Sequence, residues 1–211
     1  MLPIGSMRTR MIRVQLCVIA VLLALGWPGA FAQSSYPAQT ITLIVPFAAG
    51  GPTDVVARVL QGSMSRALAQ TIVIENVVGA GGTTAATRAM RAAPDGYTIM
   101  LGHMGTHAAV VALYPKLAYN PATDFAPIGL VVQMPVLAIA RNGIPARDLK
   151  EFIAYANQHA GELTMAHAGL GSVSYVSCEL FNSILGLNPK RLGYQGSEPA
   201  MAALLAGKAD Y

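Results

Sequence analysis

The chain carries 14 Lys and Arg against 10 Asp and Glu in 211 residues, a formal net charge of +4, with 54% of residues hydrophobic and only 11% charged. Arg8, Arg10 and Arg13 precede an apolar run from Val14 to Gly26, and Ala30-Phe31-Ala32 follows it, the layout of a secretory signal peptide cleaved after Ala32. Without that leader the chain is nearly neutral, which excludes the clustered basic surface of a nucleic-acid binder. The apolar run is too short to span a bilayer comfortably, and Trp27-Pro28-Gly29 breaks it. Cys17 lacks the small preceding residues of a lipoprotein site, so a soluble product is expected. Cys178 is then the one remaining cysteine, and no intramolecular disulfide is available. Residues 33–211 suffice for one good core or two small lobes.

Thr40 to Pro46 reads as the first strand, a nearly continuous apolar run suited to burial on both faces of a parallel sheet. Pro46 has no N–H for a ladder and ends it. Gly50-Gly51 allow a tight turn and close approach of a ligand. Thr53 or Asp54 is placed to cap a helix over Asp54 to Ala69, in which Val55, Val59, Leu60, Met64 and Leu68 recur at helical spacing. Arg58 lies four residues beyond Asp54 and is placed to pair with it. Thr71 to Val77 is a second strand, followed by Gly79-Ala80-Gly81-Gly82 and a helix over Thr83 to Ala93. Pro94-Asp95-Gly96 is a turn. Tyr97 to Leu101 is a third strand, leading into Gly102-His103-Met104-Gly105-Thr106-His107 and a short helix from Ala108 to Leu113.

Tyr119 to Phe125 reads as loop, and Ile128 to Val132 and Val136 to Ala140 as strands around Pro135. An amphipathic helix from Ala146 or Arg147 to Gln158 comes next, then a strand from Leu163 to Ala168 that runs into Gly169-Leu170-Gly171-Ser172. A helix over Val173 to Leu185, a strand over Lys190 to Tyr194 and a helix over Glu198 to Ala206 complete an α/β alternation.

Glycine turns thus follow three strands. In open parallel sheets, ligands sit beyond the carboxyl ends of the strands. The helix that follows such a turn presents unpaired N–H groups and a partial positive charge, a seat for an anion. None of the three turns contains Lys or Arg, so a carboxylate there would be held by backbone N–H groups, helix dipoles, hydroxyls and water. Ionised Asp54 cannot take a carboxylate directly. It caps the turn and pairs with Arg58, or accepts from a ligand ammonium, or orients a water.

The stretches ITLIVPFAAGGPTDVVAR at 41–58, IVIENVVGAGG at 72–82, PDGYTIMLG at 94–102, DFAPIGL at 124–130, AGLGSVSYVSCELF at 168–181 and GYQGSEPAMAALLAGKAD at 193–210, in this order and spacing, resemble the extracytoplasmic solute receptors of tripartite tricarboxylate transporters, the Bug or TctC family. The resemblance covers Tyr36-Pro37 to the last residue. It implies an α/β, two-lobed periplasmic binding protein of the type II Venus-flytrap kind, with a first lobe over residues 33–132 and a second over 133–211. It implies capture of a small carboxylate between the lobes, delivery to membrane permease subunits, a monomer, no cofactor and no catalysis. By motif it carries ligand binding onto Phe47, Ala48, Gly50, Gly51 and Asp54 in the first turn. Further candidates are His103, Thr106 and His107 after the third strand, and Gly169, Gly171, Ser172 and Tyr194 in the second lobe, with Gly196 near. Gly79 to Gly82 read as structure rather than contact.

Two departures stand out. Tyr175 occupies the place where the family usually has His; it keeps a donor but cannot become a cation near neutral pH. The motif series also runs out at Tyr211, where the family enters another strand. The resemblance therefore implies an incomplete second lobe and apolar faces left uncovered by absent C-terminal helices.

Rival readings are weaker. Gly79-Ala80-Gly81-Gly82 lacks the spacing of a dinucleotide fingerprint and has no strand-ending acid about 20 residues on. Ser172 does not lie in G-x-S-x-G. His103 and His107 have no carboxylate or Cys close by to complete a metal set, and no general acid–base pair is visible. His159 reads as a surface residue, His167 as a strand-end residue, and Cys178 as a small core hydrophobe.

Overall fold

The computed structural model describes residues 36–211; the expected signal peptide lies outside them. Two parallel sheets organise these residues. The first comprises β1 (Ile41–Val45), β2 (Ile72–Asn76) and β3 (Thr98–Met100), in the order β2-β1-β3. Register sets Ile41 opposite Ile72, and Thr42 opposite both Val73 and Thr98. β1 is central, which is why its sequence is apolar at nearly every position. Ile41, Leu43 and Val45 face helix α1 (Pro52–Leu68), packing with Ala57, Met64 and Leu68. Helix α2 (Thr83–Met90) belongs to a second cluster, in which Ala86, Val110 and Tyr119 gather Met90, Met100, Leu117 and Phe125.

The second sheet pairs β4 (Thr164–His167) with β5 (Lys190–Gly193). Its core joins Phe152 and Ala156 of α4 (Leu149–Gln158) to Ile144, Leu163, Met165, Leu187 and Tyr211. Helix α5 (Val173–Leu185) lays Tyr175, half-buried Cys178 and Phe181 against it. The last helix is α6 (Ser197–Leu205). Beyond it the chain returns to β4: the Tyr211 N–H donates to the Thr164 carbonyl, the Ala166 N–H donates to the Tyr211 carbonyl, and the Tyr211 hydroxyl donates to Asn182 Oδ1 at 2.6 Å. Asp210 accepts from the Thr164 N–H and hydroxyl and from Arg141 Nε, clamping 141 and 210 to this edge.

Two expectations are corrected. Ile128 to Val132 and Val136 to Ala140 form no strands; every residue from 126 to 140 is exposed, with Ile128 85%, Leu130 77% and Leu137 77% open. An apolar run becomes a strand only where an edge offers it a ladder, and no described strand lies beside this one. The helical segment after β3 also begins earlier than Ala108. Gly105–Ala109 is a π-helical turn that runs into α3 (Val110–Leu113), with the His107 N–H on the His103 carbonyl.

Candidate functional site

The first turn is built around Asp54. Gly51, rather than Thr53 or Asp54, caps α1, and Pro52 occupies the first helical position, where its missing N–H costs nothing. Asp54 is 1% exposed and points back out of the helix. Its Oδ2 accepts from the Gly50 N–H at 2.9 Å and from Arg58 Nε at 2.7 Å; its Oδ1 accepts from Arg58 Nη2 at 3.2 Å and from Asn76 Nδ2 at 3.0 Å. The Asn76 amide also donates to the Phe47 carbonyl at 2.9 Å, tying the end of β2 to the turn. The Arg58 hydrogen bond, with those from Gly50 and Asn76, holds the carboxyl down at about 2 against the opposing effect of burial. Four accepted bonds use the capacity of a carboxylate. Asp54 shapes the turn and has no acceptor site left for a ligand.

The turn after β3 stands beside it. The ring of His103 stacks on Phe47 with centroids 5.1 Å apart, and its Nδ1 accepts from the Gly105 N–H at 2.8 Å. Burial, with a smaller contribution from His107, pushes its pKa down to about 4, so the ring is neutral. Thr106 is fully buried. Its hydroxyl lies 3.1 Å from the His103 N–H, 3.2 Å from the His103 carbonyl and 2.9 Å from His107 Nδ1, while its carbonyl accepts from Tyr119 at 2.7 Å. It is committed to holding the turn. His107 sets its ring edge-on to Phe125, at the side of the first-lobe core, and burial lowers its pKa.

The turn after β4 meets the turn after β3 and the Gly79 to Gly82 turn. Gly169 and Gly171 have φ of 109° and 84°, which only glycine adopts without strain. Ser172 caps α5 by accepting from the Tyr175 N–H at 3.2 Å. The Gly171 carbonyl lies so close to Gly105 that a Cβ there would overlap it, and the Leu170 carbonyl stands in the same relation to Gly81. Tyr114 donates to the Leu170 carbonyl at 3.3 Å. A Cβ on Gly196 would sit 3.4 Å from that of Ala48, and one on Gly50 would sit 3.2 Å from Glu198 Oε2. The three glycine turns and the start of α6 therefore form one continuous seam between the two sheets.

Phe47, Ala48, Gly50, His103 and Gly171 are gathered at this seam. Gly51 is buried under it as the cap of α1, and Gly169 and Ser172 shape the second turn. Tyr194 donates its N–H to the His167 carbonyl at the end of β4, and its own carbonyl lies near Gly169. Five residues outside the expected set matter here: Asn76, Gly81, Gly105, Tyr114 and Glu198. Asn76, the polar end of an apolar strand, carried a readable signal; Tyr114 carried none, since its partner is 56 residues away. Two open concavities of about 710 and 560 Å³ lie elsewhere, one over Thr42, Glu75, Thr98 and Arg88 and one near the end of α1.

The model of the tripartite tricarboxylate transporter family receptor, TctC, matches residues 56–211. The chain belongs to this family. Among solved structures, MatC from Rhodopseudomonas palustris with bound malate is 53% identical with a TM-score of 0.79, over 83% of this chain and 60% of that one. The periplasmic binding protein BugD is 43% identical (TM-score 0.78, 83% of this chain and 58% of that one). An R. palustris protein with adipate is 34% identical (TM-score 0.80, 83% and 58%). A UPF0065 protein of Agrobacterium vitis is 40% identical over 195 residues, which is 91% of this chain and 56% of that protein. BugT of Bordetella pertussis is 34% identical over 91% of this chain and 60% of its own length. The chain thus spans under two thirds of the length of each of these relatives. Its fold is that of the α/β periplasmic binding proteins, and the family is one of solute-binding receptors.

Proposed function

We propose that this chain is a periplasmic receptor that captures a small carboxylate at the seam between its two lobes and hands it to the permease of a tripartite tricarboxylate transporter. The observation that carries this reading is the meeting of two glycine-capped helix starts. Neither Gly51 of α1 nor Gly196 of α6 is joined by a capping side chain, and a Cβ on Gly196 would lie 3.4 Å from that of Ala48, beside the other helix start. Each helix start offers N–H groups and a partial positive charge to an anion; at α1 the Asp54 carboxylate is offset by Arg58, while Glu198 in the first turn of α6 opposes the attraction. Neutral donors keep binding reversible, as delivery requires. Malate and adipate in two related structures fit the same chemistry.

In this reading the ligand contacts come from Phe47, Ala48, Gly50 and His103 on the first lobe and from Gly169, Gly171 and Tyr194 on the second. The first lobe ends near residue 132 and the second begins at 133. Residues 1–32 act as the export signal, and the receptor is a monomer without cofactor or catalysis. A thermal-shift series on residues 33–211 with malate, adipate and a set of amino acids tests it. A ligand that binds only the native state raises the melting temperature by mass action, and the acid must be recovered unchanged. No shift with any carboxylate, or turnover of one, overturns the reading.

A further inference from the structure

Among the described residues, His103 Nε2 is the one buried side-chain nitrogen or oxygen without a hydrogen-bond partner. Buried polar groups are paired in the great majority of cases, and a lone one calls for an explanation. Its proton inventory is fixed by its neighbour. The Gly105 N–H donates to Nδ1 at 2.8 Å, so Nδ1 carries no hydrogen and Nε2 carries the single one of the neutral ring. The unpaired atom is therefore a donor and needs an acceptor.

Its position is equally defined. One ring face is covered by Phe47 of the first turn. The Cε1 edge, which joins Nδ1 to Nε2, lies 2.7 Å from where a Cβ on Gly105 would stand, and that same point is overlapped by the Gly171 carbonyl of the second lobe. The donor thus belongs to the seam, between the first-strand turn and the second-lobe glycine turn. A neutral imidazole N–H withdrawn from water is a strong partner for a carboxylate oxygen, because a hydrogen bond to an ionised acceptor is about twice as strong as a neutral one.

We propose that the Nε2–H of His103 donates directly to one carboxylate oxygen of the bound ligand, so that the acid is recognised by a tautomer-locked neutral histidine instead of a cation. The proposal rests on the receptor reading above and adds the atom that makes the contact. It also sets a ligand rule: the group at this position must be an acceptor, so an amide nitrogen or an ammonium is rejected there while a carboxylate is taken.

The test uses residues 33–211 labelled with 15N-histidine, with malate and adipate as probes. Before addition, the spectrum should show His103 protonated at Nε2 and bare at Nδ1. Saturation with the probe that raises the melting temperature should move the Nε2–H proton resonance downfield and slow its exchange with water. His103→Asn is the paired variant. Its side-chain oxygen can still accept from the Gly105 N–H two residues on, so the turn is kept while the ring donor is deleted. Its affinity for that probe should fall by about 10- to 100-fold. A probe that binds without moving the His103 signal, and binds H103N equally well, overturns the proposal and leaves the receptor reading standing. Failure of every carboxylate to bind overturns both.

Discussion

The Gly171 carbonyl presses against the α-carbon of Gly105, leaving no space for a methyl group between the two sheets. Gly105 does not have a positive φ, so alanine is compatible with its backbone and even favoured in a helical turn. Its Cβ, however, would meet the Gly171 carbonyl and the His103 ring, so Gly105→Ala should both lower the unfolding midpoint and oppose closure of the seam. Overpacking typically costs 1–3 kcal/mol, about a 5- to 150-fold loss of carboxylate affinity. Calorimetric titration together with small-angle scattering checks this; normal affinity with an unchanged liganded radius would contradict the geometry.

Asp54 makes the next test. Asp54→Ala removes the acceptor shared by the Gly50 N–H, Asn76 Nδ2 and Arg58. Bonds to a charged group are worth about 1.5–3 kcal/mol, and the loss should appear as lower urea stability. Its acid behaviour has a definite sign. The folded carboxyl titrates at about 2, below the ordinary 3.8. Its contribution is complete above pH ~4 and disappears as pH falls towards 2, because the unfolded chain takes up the proton first. Asp54→Asn should flatten the stability curve in that window.

His103 acts in a higher window. Its folded value of about 4 lies below the ordinary 6.5 because burial disfavours the imidazolium. Stability from the neutral ring is complete above pH ~6.5 and is lost as the solution is acidified towards 4, on the order of 3 kcal/mol at most. His107 and His167 are shifted in the same direction by burial. The melting temperature should fall across this range, and H103N should fall less; identical slopes would assign the effect to the other two histidines.

The exposed run from 128 to 139 should make the otherwise monomeric chain self-associate at high concentration. Ile128, Leu130, Val136 and Leu137 form a strand-like apolar stretch with unpaired backbone beside it, a template for edge-to-edge pairing. Leu130→Lys with Leu137→Lys should raise the fraction of monomer in sedimentation at equal concentration. The melting temperature should not change, since neither side chain packs on a core. A parent chain that stays monomeric even at high concentration would contradict this.

Most elements were legible because their signals are local. The apolar run of β1 and the spacing of Met64 and Leu68 in α1 each follow from a few adjacent residues. The run at 128–140 carried the same kind of signal and failed, because a strand is a relation between two edges and the second edge is not in the local sequence. Asp54 shows the other limit. Its pairing with Arg58 is an i, i+4 contact that spacing foretells. Its engagement by Asn76, 22 residues away, and by Gly50 is what turns it from a candidate contact into the frame of the turn.

By itself the sequence determined the α/β order, the three glycine turns without a cation, the TctC-type motif series and the pairing of Asp54 with Arg58. Those properties reside in periodicity, backbone permissiveness and short-range spacing. Only the tertiary structure decided that Gly105 and Gly81 meet the carbonyls of Gly171 and Leu170, that Thr106 is spent on holding a turn, and that His103 keeps one buried donor unpaired. Each of these depends on which polar atoms face one another after distant segments pack, and hydrogen-bond satisfaction is a property of that packing.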